Sequence, residues 1–253
     1  GQSVTFTKGL GPKLSVIDEN ILANINEKDF KEKLNPIYNS IKITSENEVL
    51  KNKDLIGFVG APWTLLVYII NRASPKKKLN KKFFNDQSLI DELLRFLVKY
   101  IKIHILNQIK SGATIIQVFD SWAGLLEDED LEKYIYAPTK EIIDFIRTLN
   151  VPSICFPRNI KNYKKFVSTV NPDVISIDYN VNPEKILEEI DIPVQGGLNP
   201  EKLLEDKATL KQEVKKYLKV FTNHPYIFNL GHGVLPETNP NMVEYLIKFI
   251  KDN

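Results

Sequence analysis

Residues 114–124 read TIIQVFDSWAG: Thr114 to Phe119 are mostly β-branched or aromatic, and they run directly into Asp120, Ser121, Trp122, Ala123 and Gly124. A run this apolar, without strict alternation, suits a strand covered on both faces, as in a parallel sheet. The same pattern recurs at Leu55–Val59 (LIGFV), Ser153–Phe156 (SICF), Val174–Ile177 (VISI), Ile192–Gln195 (IPVQ) and Tyr226–Asn229 (YIFN). Between these runs lie segments of helical period. In Gln87–Lys110, Leu89, Leu93, Phe96, Leu97 and Tyr100 fall three or four residues apart and form one apolar stripe. Leu131–Leu149, Ile160–Val170, Pro183–Ile190 and Pro200–Phe221 follow, and an amphipathic helix from Pro240 to Lys251 closes the chain. Pro183 and Pro200 each stand behind an Asn, as first-turn prolines do behind an N-cap.

Repeated strand–helix units predict an α/β fold with a parallel sheet, either a closed (β/α)8 barrel or an open doubly wound sheet. No G-x-G-x-x-G follows an early strand, which weakens the dinucleotide-binding form of the open sheet. Six units are visible where a TIM barrel has eight. The expectation is therefore one domain over residues 1–253, an incomplete barrel whose first two strands lie ahead of Gly1; the absence of an initial Met points the same way. Gly1 to Leu14 alternates at Val4 and Phe6 and turns at Gly9 and Gly11-Pro12, which reads as a β-hairpin or an excursion between barrel elements. Leu14 to Leu50 is mostly polar, with a short helix expected around Pro36–Lys42.

Composition excludes several functions. With 34 basic and 32 acidic residues the net charge is only +2, too balanced for a nucleic-acid coat or an anionic-membrane binder. The single cysteine, Cys155, precludes an intrachain disulfide and suits a reducing cytoplasm. Three histidines (His104, His224, His232) and that cysteine are too scattered to predict a metal site. No apolar run reaches the ~18 residues of a transmembrane helix.

In parallel α/β folds, ligands bind at the carboxyl ends of the strands. Those ends carry Gly60-Ala61-Pro62-Trp63-Thr64 leading to Tyr68, then Asp120-Ser121, Pro157-Arg158, Asp178-Tyr179, Gln195-Gly196-Gly197 and Asn229-Leu230-Gly231-His232-Gly233. Each residue also has a structural reading. Tyr68 alone is a core aromatic, and Ser121 a turn or cap residue. His232, between two glycines, has little local packing and fits a functional imidazole as well as a structural one. Asp120 serves equally as turn, cap or catalytic carboxylate. Arg158, just past a strand, suits an anion. Cys155 reads as a buried small hydrophobe. His104 and His224 have no partner visible in the sequence and read as structural or solvent-facing. The Lys-rich stretch 76–82 reads as a solvated loop or helix start.

Taken together, the motifs resemble those of the uroporphyrinogen decarboxylase family. Gly57-Phe58-Val59-Gly60-Ala61-Pro62-Trp63-Thr64, with Tyr68 four residues on, is similar to that family's G-F-x-G-A-P-W-T segment and its substrate-contacting tyrosine. Phe119-Asp120-Ser121-Trp122-Ala123-Gly124 resembles F-[DE]-S-x-A-G, whose serine contacts substrate. Phe228 to Thr238 (FNLGHGVLPET) resembles F-N-L-G-H-G-I-L-P-E-T, which includes a binding histidine. Gln195-Gly196-Gly197-Leu198-Asn199-Pro200 is similar to Q-G-N-L-D-P, departing at Gly197 and Asn199, and Gly9-x-Gly11-Pro12-Lys13-Leu14 also resembles a family stretch. The resemblance implies cofactor-free decarboxylation of the four acetates of uroporphyrinogen III to give coproporphyrinogen III, with Tyr68, Ser121 and His232 binding substrate. It implies a homodimer, a tetrapyrrole ligand and no metal. The family's arginines and aspartate that face substrate carboxylates and pyrrole nitrogens have no match here, so no catalytic residue is assigned and the chain by itself is expected to be inactive. Two other readings remain: a zinc- or corrinoid-dependent methyltransferase of the same superfamily, and a non-catalytic porphyrinogen-binding remnant.

Overall fold

All six runs read as strands form strands, and they lie side by side in chain order. A computed structural model describes residues 2–7, 11–17, 22, 24–75, 79 and 86–253. The strands are β3 (Ile56–Gly60), β4 (Ile115–Asp120), β5 (Ser153–Pro157), β6 (Val174–Ile177), β7 (Val194–Gly196) and β8 (Tyr226–Ile227). Every neighbouring pair is parallel, in the order β3-β4-β5-β6-β7-β8. The helices between them are α2 (Pro62–Asn71), α3 (Gln87–Lys110), α4 (Ala137–Thr148), α5 (Tyr163–Val170), α6 (Pro183–Glu189) and α7 (Lys207–Val220), with α8 (Pro240–Lys251) last. Asn182 and Asn239 cap α6 and α8 with a proline in the first turn, and Asn199-Pro200 opens a 3-10 turn in the same way. Among the described residues β3 and β8 do not pair, so the fold is an α/β barrel left open, six strands of the (β/α)8 pattern.

One contact shows the curvature. Gln195 on β7 donates from Nε2 to Gln117 Oε1 on β4, at 3.3 Å, and lies 3.3 Å from Ser176 Oγ on β6. In a flat sheet, strands three apart are separated by about 14 Å. Gln117 and Gln195 therefore meet across the hollow of a curled sheet, which fixes its concave face. Side chains alternate along a strand. Ile116, Val118 and Asp120 therefore point to the convex side, where α2 and α3 pack; Ile116 and Val118 are buried there.

The remaining chain departs from expectation in three places and meets it in a fourth. The short helix expected around Pro36 is α1, Glu27–Ser45, capped by Asn26, whose Oδ1 accepts from Asp29 N at 2.9 Å. Pro36 lies inside it, and Tyr38 packs toward α3 and bonds His104 Nδ1 at 3.1 Å, so tertiary packing carries the helix through the proline. Leu131–Leu149 is not one regular helix: Glu132–Tyr136 forms a π turn, with Ala137 N donating to Glu132 O, before α4 begins. Pro138 has no N–H to continue the ladder there. Pro200–Phe221 breaks at Asp206, whose Oδ1 caps α7 through Ala208 N (2.7 Å) and Thr209 N (3.0 Å). At the N-terminus the hairpin exists: β1 (Val4–Thr7) pairs antiparallel with β2 (Gly11–Leu14). The Gly9 turn lies outside the described residues, as does the Lys-rich stretch 76–82 apart from Leu79. Among the described residues no helix is long and apolar enough to cross a membrane.

Candidate functional site at the strand ends

The ends of β3 and β4 are locked together by side chains of the first turn of α2. Thr64 Oγ1 donates to Asp120 Oδ1 at 2.7 Å and accepts from Trp122 N at 3.3 Å. Trp63 Nε1 donates to Trp122 O at 3.0 Å. The turn that carries Ser121 is thus fastened to the helix that carries Tyr68, and the Tyr68 ring meets the Trp122 ring edge-on with centroids 6.2 Å apart. Ser121 and Tyr68 are both partly buried. Asp120 is 3% exposed, and its second oxygen, Oδ2, is buried without a hydrogen-bond partner. Burial pushes its carboxyl up to about 7, against the opposing bonds from Thr64 and Trp122 N.

The next strand ends adjoin this turn. Arg158 N donates to Asp120 O and Gly124 N donates to Arg158 O, both at 3.0 Å. Asp178, fully buried, accepts from Asn159 N and Asn180 N at 2.8 Å and from Tyr163 Oη at 3.3 Å. Three N–H or O–H donors to one buried carboxylate satisfy it as a structural anchor for the loops after β5 and β6. The loop after β8 lies directly on that anchor: a Cβ placed on Gly231 would collide with Tyr179 N and would lie 2.9 Å from the backbone carbon of Asp178. This explains the glycine before His232. His232 itself is exposed. Partial burial and then the Arg158 charge lower its pKa, while Gly233 and Asp178 act the other way. Its imidazole is therefore mainly neutral at pH 7.

Among the described residues no hydrogen bond or ring contact joins Tyr68, Ser121 and His232 to one another. The connection runs from Tyr68 through Trp122 and the Ser121 turn to the Arg158 backbone, and from there to Asp178 and the His232 loop. Three further residues were given no role in the motif reading. Phe58, Phe119 and Phe156 form an edge-to-face row across β3, β4 and β5, with centroids 6.0 and 5.9 Å apart. Phe119 is two residues from Gln117, so the row lies on the concave face. Cys155, by contrast, is buried on the convex side, and burial, then Asp120 and Asp173, raise its thiol pKa further from reactivity. His104 and His224 are structural, with partners the sequence did not reveal: Tyr38 Oη and, at 3.0 Å, Ile192 O. Among the described residues no group of three or more His, Cys, Asp or Glu side chains is placed to hold a metal.

Over residues 1–253 the chain matches the family model described as "Uroporphyrinogen decarboxylase (URO-D)". It is 38% identical over 258 residues to the uroporphyrinogen decarboxylase of Rickettsia bellii (strain RML369-C), covering 100% of this chain and 76% of that protein. To that of Rickettsia felis (strain ATCC VR-1525 / URRWXCal2) it is 35% identical, covering 99% and 74%. A solved methyltransferase from Methanosarcina mazei shares the fold at TM-score 0.73 and 14% identity, covering all of this chain and 75% of its own. At that identity the likeness extends to architecture alone. With a whole-chain family match and relatives above 30% identity, the chain belongs to the uroporphyrinogen decarboxylase family, a family of carboxy-lyases.

Proposed function

We propose that this protein acts on uroporphyrinogen III, removing carbon dioxide from each of its four acetate side chains to leave methyl groups, and so forms coproporphyrinogen III for porphyrin synthesis. The observation that carries the reading is the full-length family match, and the strand-end geometry is compatible with it. Each step consumes one proton and releases one carbon dioxide. Protonation of a pyrrole α-carbon makes the ring an electron sink; the bond to the carboxylate breaks, its electron pair enters the ring and carbon dioxide leaves. The exposed methylene then takes a proton to become a methyl, and the ring returns its own.

In this reading the concave face, with Phe58, Phe119 and Phe156, receives the apolar macrocycle, while polar groups at the strand ends receive its acids. Tyr68 Oη and Ser121 Oγ donate hydrogen bonds to carboxylates, and neutral His232 donates its single N–H. A homodimer belongs to the same proposal and is tested by sedimentation. The methyltransferase alternative requires clustered His and Cys ligands; Cys155 is buried in the sheet with neither histidine nor solvent beside it among its described partners.

The test is anaerobic incubation with uroporphyrinogen III, followed by oxidation and separation of porphyrins by carboxyl number. Products with seven to four carboxylates are expected where the family's carboxylate-binding arginines and its aspartate are also present, residues 1–253 alone being expected to yield none, and in that setting His232→Ala and Tyr68→Phe should slow their appearance. Failure both to bind and to convert the porphyrinogen would overturn the proposal. Binding without conversion when those arginines and the aspartate are present would replace it with the non-catalytic reading.

A further inference from the structure

Arg158 lies where the two halves of the strand-end region meet. Its backbone N bonds Asp120 O and its backbone O bonds Gly124 N, on either side of Ser121 and Trp122. The next residue, Asn159, donates to Asp178, against whose backbone the Gly231–His232 loop is seated. Arg158 stands in the turn that follows β5, two residues past Phe156 of the aromatic row, and its charge is felt at the His232 imidazole. The guanidinium is half-buried, forms no ion pair with a described acid, and has its Nε buried without a hydrogen-bond partner. Asp178, the nearby carboxylate, is already saturated by two backbone N–H groups and Tyr163.

A half-buried guanidinium with an unfilled donor lacks the partner that such groups ordinarily have. Its planar fork matches a carboxylate in two parallel hydrogen bonds. We infer that Arg158 is a carboxylate-binding residue of this site, the cation shared by the Ser121 turn and the His232 loop, and that it takes a side-chain acid of the tetrapyrrole together with His232. The inference rests on the tetrapyrrole reading above. It adds a residue that the family motifs do not include, and it supplies a positive charge that Tyr68, Ser121 and neutral His232 lack.

The experiment uses uroporphyrin, with eight carboxylates, and coproporphyrin, with four, as fluorescent probes titrated against the wild-type chain, Arg158→Gln and Arg158→Lys. Arg158→Gln should weaken uroporphyrin binding roughly 10- to 100-fold, the loss of one charge-assisted carboxylate contact, and flatten its salt dependence. Arg158→Lys keeps the charge without the fork and should fall between. A second readout is proton NMR of the imidazoles: in Arg158→Gln the His232 resonance should titrate at higher pH, while His104 and His224 stay unchanged. Wild-type affinity for uroporphyrin in Arg158→Gln would overturn the inference and leave the tetrapyrrole reading intact. Failure of the wild-type chain to bind either porphyrin would overturn both.

Discussion

At the scale of single residues, the unusual group is Asp120. Its carboxyl is buried against the helical layer with one oxygen bonded to Thr64 and the other unpaired, and burial holds its pKa at about 7 instead of 3.8. Between those two values the folded protein retains a proton that the unfolded chain has lost. Stability therefore falls as pH rises from about 4 to about 7 and levels off above, by a total on the order of 4 kcal/mol. Denaturant titrations of wild type and Asp120→Asn across pH 4–8 check this: the slope should be present in the first and absent from the second. Thr64→Val, equal in shape but without the hydroxyl, should cost ~1–3 kcal/mol at pH 7 because it strips a buried carboxylate of its partner, and Thr64→Ser should recover most of that loss. The three residues proposed for the site come from long motifs. Asp120's role was not legible, because it depends on which face of β4 meets α2, and the phenylalanine row was missed for the same reason; Arg158 was legible as an anion-binding candidate from its place just past a strand, but its unfilled donor was not. An apolar run without alternation names the strand but conceals its two faces.

At the scale of elements, strand positions were readable from local composition, and helix interruptions were not. Asp206 followed by Lys207-Ala208-Thr209 is an N-cap signal inside what reads as continuous helical period, and Pro138 marks the place where a π turn replaces the α ladder. Conversely, Pro36 reads as a helix start but lies within α1, since the Tyr38–His104 contact between α1 and α3 is long-range and invisible locally. The element most exposed to a single change is the loop after β8. Gly231 lies so close to the backbone of Asp178 and Tyr179 that Gly231→Ala must displace one loop or the other. The expected cost is ~1–3 kcal/mol in stability, as for other overpacked sites. Because the displaced loop carries His232, porphyrin affinity should drop more than that of a surface alanine control, measured by the same fluorescence titration. Gly233→Ala is the comparison: nothing lies within 4 Å of its added Cβ, so any effect there reflects backbone freedom rather than collision.

At the scale of the whole molecule, the sheet curls without closing among the described residues, and the aromatic row is graded by that opening. Phe156, on the covered strand β5, is 6% exposed, whereas Phe58, on the end strand β3, is 65% exposed. Both are phenylalanines on one face of one sheet, but an inner strand has neighbours on each side and an end strand has a neighbour on one. Phe156→Ala should therefore behave as a core truncation and cost about 3–5 kcal/mol. Phe58→Ala removes a ring that is largely in solvent and should change stability by about 0.5 kcal/mol or less. If the tetrapyrrole lies on this row, Phe58→Ala should weaken uroporphyrin binding while the denaturation midpoint stays in place, whereas Phe156→Ala should shift both. The two measurements together separate binding from folding: equal binding by wild type and Phe58→Ala would move the macrocycle off β3, and a large stability loss in Phe58→Ala would mean that the open side of the sheet is covered in solution.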